Sequence, residues 1–329
     1  MNLKGKFKVL QQKISQSNKI LVVGHLRPDG DAISSGCAIL EILKQFDKKG
    51  EFFCSGNLPF NFNYLPNFYQ ISNNKKDFKD LSNFDLLIIV DCGSLARTDL
   101  SQEIKKRRQN NHPYIVEIDH HPKVDDYANL EIREPQAAST TEIIYDLSCA
   151  LNIKFTKNLS ESILTGIITD TGNFFYPNAT AKVLKASAHL LEKGANLSKI
   201  IKHVNSNKNI ATFKLWGLAM ERLEVHPDYD FAFSVLTFKD LQSINSDSDE
   251  INETLSSIAG FLSNLAKVKA TLLLHETAPG MIKGHLRSSD PSVDVSRLAR
   301  YLGGGGHPQA AGFAIAGELF KTNKGWQVK

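Results

Sequence analysis

Carboxylate and imidazole side chains gather at the ends of short apolar runs in this chain of 329 residues. Ile20–Gly24 passes directly into His25-Leu-Arg-Pro-Asp29-Gly-Asp31, Leu86–Val90 ends in Asp91, and Tyr114–Ile118 ends in Asp119-His120-His121. A fourth apolar stretch, Ile163–Thr169, ends in Asp170-Thr-Gly. One Asp after an apolar run is ordinarily a turn or helix-cap residue. Four segments with the same ligand types at the same end suggest more, because the C-terminal ends of strands in an open parallel sheet share one edge, where ligands bind. Carboxylate oxygens with a few imidazole nitrogens suit Mn²⁺, Mg²⁺, Fe²⁺ or Co²⁺ better than a thiolate-seeking metal. Asp29, Asp31, Asp91 and Asp170 together carry four negative charges, which two divalent ions would neutralise. Without metal they would repel one another and raise one another's pKa. Two such ions acidify water for in-line attack on phosphorus, so the chemistry expected is phosphoester hydrolysis.

The C-terminal half offers a complementary, cationic set. Period-two alternation on the expected strand Met281–Arg287 puts Lys283, His285 and Arg287 on one face, and Ser288 follows. Then comes Gly303-Gly-Gly-Gly-His307-Pro-Gln-Ala-Ala-Gly312. Glycines such as Gly305 and Gly306 let backbone N–H groups approach an anion. No Gly-Lys-Ser/Thr follows, so this is not a Walker loop. Arg287 and His307 could hold a phosphate, the arginine through its two-pronged guanidinium.

The elements that must position these residues fall into two groups. Ile20–Gly24, Glu51–Ser55, Leu86–Val90 and Tyr114–Ile118 read as strands; Asp31–Phe46, Thr140–Ala150, Asn158–Ile168 and Ala181–Lys193 read as helices. Apolar strands alternating with helices predict a doubly wound parallel sheet covered on both faces, an α/β fold. The stretch from Asn196 to about Thr212 is polar but keeps helical periodicity and reads as a connector. Beyond it, Phe231–Leu236, Val268–His275 and Met281–Arg287 read as strands, Ile251–Leu265 and Val293–Tyr301 as helices, with a last strand near Gly312–Ala316. That pattern predicts a smaller α+β domain.

Composition narrows the class. A formal net charge of +4 permits an anionic substrate without the dense basic stripe of a duplex binder. Cys37, Cys54, Cys92 and Cys149 form no C-x-x-C pair, which argues against a zinc knuckle, and free thiols suit a reducing compartment. Cys37 and Cys149 read as core residues. The lysine-rich first nineteen residues lack the apolar core of a signal peptide, and no apolar run reaches the roughly 20 residues of a membrane span. A soluble, cytoplasmic protein with no membrane partner is expected. The sequence leaves a homodimer open.

Taken in order, H-L-R-P-D-G-D at 25–31, V-D-C-G at 90–93, D-H-H at 119–121 and T-D-T-G at 169–172 resemble the motifs of the DHH phosphoesterases. G-G-G-G-H-P-Q-A-A-G at 303–312 resembles the signature of the associated DHHA1 domain. The layout is most similar to the bacterial nano-RNase, or oligoribonuclease/pAp-phosphatase, branch. The resemblance implies a DHH catalytic metal-binding domain over residues 1–194, a connector over 195–212 and a DHHA1 substrate-binding domain over 213–329, with the active site in the cleft between the domains. It implies two manganese ions, with magnesium or cobalt as alternatives: His25 and Asp29 on the first, Asp31, His120 and Asp170 on the second, and Asp91 bridging both. It gives Asp119 the task of orienting the neighbouring histidine, and His121 that of substrate contact or proton donor. Arg287 and His307 would bind the terminal phosphate. The family often has Ser two residues before the arginine matched to Arg287, where this chain has His285, a departure that bears on substrate preference.

The activity this implies is hydrolysis of short single-stranded RNA to 5′-mononucleotides, with removal of the 3′-phosphate of pAp. Hydrolysis of pApA from cyclic-di-AMP turnover is the alternative within the class. Inorganic pyrophosphatase fits the glycine-histidine motif less well. A non-catalytic nucleic-acid-binding module is the alternative of another class, and the full set of candidate ligands argues against it.

Overall fold

The computed structural model describes residues 1–108, 112–205, 210–243, 248–323 and 325–329. The chain forms two compact units. The first runs α1 Leu3–Gln16, β1 Ile20–Val23, α2 Gly30–Gln45, β2 Gly50–Phe53, β3 Ile71–Ser72, β4 Leu86–Val90, α3 Ser101–Arg108, β5 Tyr114–Asp119, β6 Leu130–Arg133, α4 Thr140–Ala150, α5 Lys157–Asp170, α6 Ala181–Glu192 and α7 Leu197–Asn205. Its six strands are all parallel in the order β3-β2-β1-β4-β5-β6. Strand alternation divides the apolar residues between two cores. Ile20, Val22, Ile88 and Val90 pack with α1, α2, α4 and α5, while Leu21, Val23, Leu87 and Ile89 pack against Leu100 and Ile104 on the opposite face. The expected doubly wound sheet is therefore present. Chain order reverses between β1 and β4, so their carboxyl ends flank the topological switch point where ligand sites form in such sheets.

The helix expected over Asn158–Ile168 is present as α5, buried all the way from Leu159 to Ile168. The fourth apolar stretch, Ile163–Thr169, is therefore the last part of a helix, and three strands and one helix, rather than four strand ends, deliver the acidic residues. Helix α1 is not among the expected elements; its core contacts Phe7, Leu10 and Ile14 have helical spacing but are diluted by lysines. Cys149, expected in the core, is exposed near the end of α4.

The second unit contains α8 Ile210–Glu221, β7 Glu224–Val225, β8 Phe231–Leu236, α9 Phe238–Gln242, α10 Ser248–Leu262, β9 Ala270–Ala278, β10 Met281–Arg287, α11 Val295–Tyr301, β11 Gly305–His307, β12 Ala310–Ala316, β13 Leu319–Thr322 and β14 Gly325–Val328. Residues 175–177 also cluster with it. Its mixed sheet has the order β11-β12-β10-β9-β8-β7. Leu236 and Leu273 on one face meet α8 and α10; Leu286, Ala311 and Phe313 on the other meet α11. The terminal hairpin β13–β14 was not anticipated, because its strands have only four residues each. The connector stretch divides between α7 in the first unit and α8 in the second; residues 206–209 lie outside the described set.

Candidate active site

At the end of β1, His25 is 2% exposed. Its Nδ1–H donates to the Leu26 carbonyl at 2.9 Å, which leaves Nε2 as a lone pair. That Nε2 is buried with no hydrogen-bond partner, 3.5 Å from Asp29 Oδ2 and 3.9 Å from Asp91 Oδ2. Asp29 caps α2: its Oδ1 accepts from the N–H groups of Asp31 and Ala32, both at 3.1 Å, and Oδ2 is left toward His25. Asp31, in the first turn of α2, is fully buried. The start of α4 holds its carboxylate through the N–H groups of Thr140 (2.6 Å) and Thr141 (3.2 Å) and the Thr141 hydroxyl (2.8 Å). An anion is well placed there, because a helix N-terminus presents free N–H groups and positive potential.

Asp91 ends β4 with φ +57°, the left-handed region that a non-glycine residue occupies at a cost. Its carboxylate faces both ways: Oδ2 lies toward His25, while Oδ1 lies 3.6 Å from His120 Nε2 and accepts from the Thr140 hydroxyl at 2.9 Å. His120 repeats the pattern of His25, its Nδ1–H on the Ala137 carbonyl at 3.3 Å and its Nε2 3.3 Å from Asp170 Oδ2. The possible donor atoms of His25, Asp29 and Asp91 all lie within 4.8 Å of one another, and so do those of Asp31, His120 and Asp170. Asp91, His120 and His121 form a third such group.

The electrostatics favour a cation. Burial, then the charges of Asp31, Asp29 and Asp170, raises the Asp91 carboxyl well above the usual range. Burial with the charges of Asp31 and Asp29 does the same to Asp170, and burial raises Asp31 as well. Asp170 is also the last residue of α5, where the helix dipole disfavours an anion. Burial lowers the His120 pKa, keeping its nitrogen free to ligate. Hard oxygens with two imidazole lone pairs, one orphaned and buried, fit divalent cations of the Mn²⁺ and Mg²⁺ type.

Asp119 sits beneath this group. Its Oδ1 accepts from His121 Nδ1 at 2.9 Å and from the His121 backbone N–H at 2.7 Å; Oδ2 accepts from Gly93 N–H at 2.6 Å. Burial raises its pKa, but the bonds and charge of His121 and the nearby Arg133 outweigh that and hold it down to about 2. Arg133, at the end of β6, donates to the His121 and Pro122 carbonyls and pairs with the buried Glu117 at 2.7 Å. Sequence reasoning missed Thr140, Thr141, Glu117 and Arg133. A signal existed for the first two: Ser139 and Glu142 have capping-box spacing. The Ser139 hydroxyl accepts from Glu142 N–H at 3.1 Å, and Glu142 reaches back to Ala138 N–H at 2.6 Å.

Helices α2 and α5 approach closely at Gly166, where a Cβ would collide with Asp31 Oδ1 and the Thr141 side chain. Gly166→Ala adds about 1 kcal/mol of helix propensity, yet overpacking should dominate and destabilise the protein by roughly 1–3 kcal/mol. Displacement of Asp31 should lower activity more than the stability loss alone would. Urea unfolding and a turnover assay on this variant check both; a more stable, fully active variant would contradict the packing argument.

In the second unit, the alternation expected on β10 holds. Lys283 pairs across the sheet with His275 and His285 with Leu273, so the two histidines share a face. Arg287 is half-buried, and neither it nor Lys283 forms an ion pair with a carboxylate among the described residues. The Ser288 hydroxyl lies against the Lys269 carbonyl and, within its own turn, against the Asp290 carbonyl and N–H. The second half of the glycine run lies in a paired strand. Gly305–His307 pairs with Ala310–Gly312, and a Cβ at Gly306 (φ +136°) would strike the Ala310 carbonyl. Gly305 has open space around it.

Burial, with Lys283 nearby, lowers the His275 pKa to about 4; burial, with His275, Arg287 and Lys283, lowers that of His285 to about 3. Unfolded histidine titrates near 6.5. Below that pH the unfolded chain binds protons that the folded unit refuses, so stability is full above pH ~6.5 and falls as pH drops toward 4. The slope should be about 1.4 kcal/mol per pH unit for each histidine. Urea unfolding of the wild type and of His275→Gln between pH 7 and 4.5 measures it; equal slopes would refute the assignment.

The sequence profile of the DHH family, N-terminal domain, matches residues 19–167, and that of the DHHA1 domain matches residues 232–323. The bifunctional oligoribonuclease and PAP phosphatase NrnA of Bacillus subtilis (strain 168) is 28% identical over 310 residues, covering 93% of this chain and 92% of that protein. The probable bifunctional oligoribonuclease and PAP phosphatase NrnA of Streptococcus mutans serotype c is 28% identical over 308 residues, with the same shares. The crystal structure of an exopolyphosphatase-related protein from Bacteroides fragilis has the same fold, at a TM-score of 0.81 and 24% identity over 97% of this chain and 92% of that one. No helix among the described residues is long and apolar enough to cross a membrane. The two profiles span most of the chain in the order of its two units, and the chain carries a DHH family N-terminal domain followed by a DHHA1 domain.

Proposed function

We propose that this chain is a two-metal phosphoesterase that hydrolyses short RNA oligonucleotides to 5′-mononucleotides and removes the 3′-phosphate of pAp. The observation that carries the reading is the pair of three-residue donor groups on either side of the Asp91 carboxylate, with two imidazole lone pairs among them. The names of the two NrnA relatives, aligned over nearly the whole chain, supply the substrate class. His25, Asp29 and Asp91 would hold one divalent ion and Asp31, His120 and Asp170 the second, with Asp91 shared. Manganese is the ion we expect, with magnesium or cobalt as alternatives. When bound, such ions polarise phosphoryl oxygens and lower the pKa of water.

The chain's own residues do the rest. The Leu26 and Ala137 carbonyls fix the tautomers of His25 and His120, so that Nε2 is the ligating atom in each. Asp119 accepts from His121 Nδ1–H, which directs Nε2 to the phosphate: the neutral ring has a lone pair there, and the imidazolium has a proton to pass to the leaving oxygen. Arg287, His285 and His307, with the backbone at Gly305 and Gly306, are the groups we assign to the substrate phosphate.

The test is hydrolysis by the purified chain with Mn²⁺ of 5′-labelled RNA from two to twenty-four nucleotides, with pAp and pApA in the same panel. Dinucleotides to pentanucleotides should be degraded fastest. Equal or faster cleavage of the longest RNA would defeat the short-substrate reading, and hydrolysis of pApA alone would favour the dinucleotide alternative.

A further inference from the structure

His275 and His285 meet ring to ring inside the second unit. Their Nε2 atoms are 3.2 Å apart, and the rings stack at 5.2 Å with an interplanar angle of 22°. Only one of the two nitrogens can donate. His275 is 1% exposed, and its Nδ1 is buried without a hydrogen-bond partner. If His285 were the donor, His275 would have to carry its proton on Nδ1, sealing an unpaired N–H in the core. If His275 donates, only a lone pair is left unpaired there. Orphaned buried N–H groups are rarer than under-used acceptors, so the second arrangement is favoured. His285 Nε2 is then the acceptor, and its proton must sit on Nδ1. That nitrogen meets no protein group among the described residues and is not a buried, unpartnered atom; His285 is 8% exposed.

The surroundings say what such a donor faces. Lys283 and Arg287 stand on the same face of β10, one alternation on either side of His285. Among the described residues neither has a carboxylate partner. Glu276, the acid next to His275 in sequence, is committed elsewhere, accepting from the backbone N–H groups of Phe238 and Leu319 at 2.6 and 2.7 Å. A half-buried guanidinium, an ammonium and a fixed N–H donor with no acid among them form a site for an anion, and the planar guanidinium suits a phosphate monoester. Burial keeps both imidazoles neutral, as a pair sharing one hydrogen bond requires. Two histidines beside two cations make a poor metal site.

We propose that His275 is a positioning residue: by donating to His285 Nε2 it fixes His285 as an Nδ1–H donor for a phosphate-monoester oxygen bound beside Arg287 and Lys283. This rests on the reading that the second unit binds the substrate phosphate, and it adds a residue that no motif marks. His285 would offer a directional donor that stays uncharged down to low pH.

The test uses the full chain with two variants, His275→Leu, which lacks the donor, and His275→Gln, which keeps an N–H. Nitrogen-15 NMR of the imidazoles should show His285 protonated on Nδ1 alone in the wild type and a larger Nε2–H share in His275→Leu, where nothing donates to Nε2. AMP titrated into the metal-free chain should bind about tenfold more weakly to His275→Leu, the loss of one such bond, while His275→Gln stays within about threefold of wild type. In turnover of pAp with Mn²⁺, the loss should fall mainly on KM. An Nε2–H tautomer of His285 in the wild type, or AMP affinity unchanged in His275→Leu, overturns the proposal. If the wild type turns over neither RNA nor pAp, the proposed function fails, but the tautomer and AMP measurements still decide the role of His275.

Discussion

Asp91→Asn is expected to lower kcat/KM on a short RNA by roughly 10³-fold or more while raising the melting temperature of the metal-free protein. Both effects follow from one carboxylate facing two donor groups. Asparagine can keep the bond from the Thr140 hydroxyl to Oδ1, so the local shape survives. What is lost is the negative charge and the second anionic oxygen, the one directed toward His25. In the metal-free state that charge is a liability, because Asp91 lies among Asp29, Asp31 and Asp170 in a buried setting. At an effective dielectric near 20, each like-charge pair at such spacing costs on the order of 2–4 kcal/mol. The pH sign is fixed by the raised carboxyls. The folded state of the metal-free protein binds protons that the unfolded chain releases above pH ~4. Its stability therefore falls as pH rises from there toward the raised pKa values, and Asp91→Asn removes one share of that loss. Thermal unfolding in EDTA and in Mn²⁺, together with kcat/KM, measures the effect. The metal-induced rise in melting temperature should shrink in the variant. Full activity in Asp91→Asn would exclude a shared ligand at this position.

The sequence revealed most of the donor set because each donor follows an apolar run of five to seven residues, and such runs are readable from residue type alone. The residue types alone thus place His25, Asp91 and His120 at one sheet edge. The helix before Asp170 is legible as Asn158–Ile168, but its end is not a strand end, and only its close approach to α2 at Gly166 brings Asp170 to the same edge. The supporting groups were illegible for a different reason. The Leu26 and Ala137 carbonyls that set the histidine tautomers are backbone atoms and leave no mark in the side-chain sequence. Thr140 and Thr141 act through N–H groups freed at a helix start, which the Ser139–Glu142 spacing only hints at. His275 and His285 are ten residues apart, and only the register between β9 and β10 joins them. The glycine motif points to the approach of backbone N–H groups to an anion; the pairing of β11 with β12, whose close backbone approach requires glycine at 306, leaves no separate mark.

Arg133→Met should destabilise the protein by about 3–5 kcal/mol, and Glu117→Gln in the same chain should restore most of that loss without restoring activity. Arg133 has its guanidinium in the interior beneath the His121 loop, with Glu117 as its buried partner and Asp119 Oδ1 3.7 Å away. Removing the arginine strands Glu117, which is 1% exposed and whose remaining close partner is the Tyr127 hydroxyl. Uncompensated buried charge, rather than the lost attraction, sets the size of the effect. Neutralising Glu117 as well removes that charge, and Gln can still accept from Tyr127. The double variant should therefore unfold in urea close to wild type. Catalysis should behave differently, because Arg133 also donates to the carbonyls of His121 and Pro122 and so holds the backbone that aims the His121 ring. Misplacing that ring by a fraction of an ångström leaves kcat reduced by about tenfold or more, with stability recovered. A single variant within 1 kcal/mol of wild type would show that the pair is not the buried unit inferred here, and a double variant with full kcat would release Arg133 from any part in positioning His121.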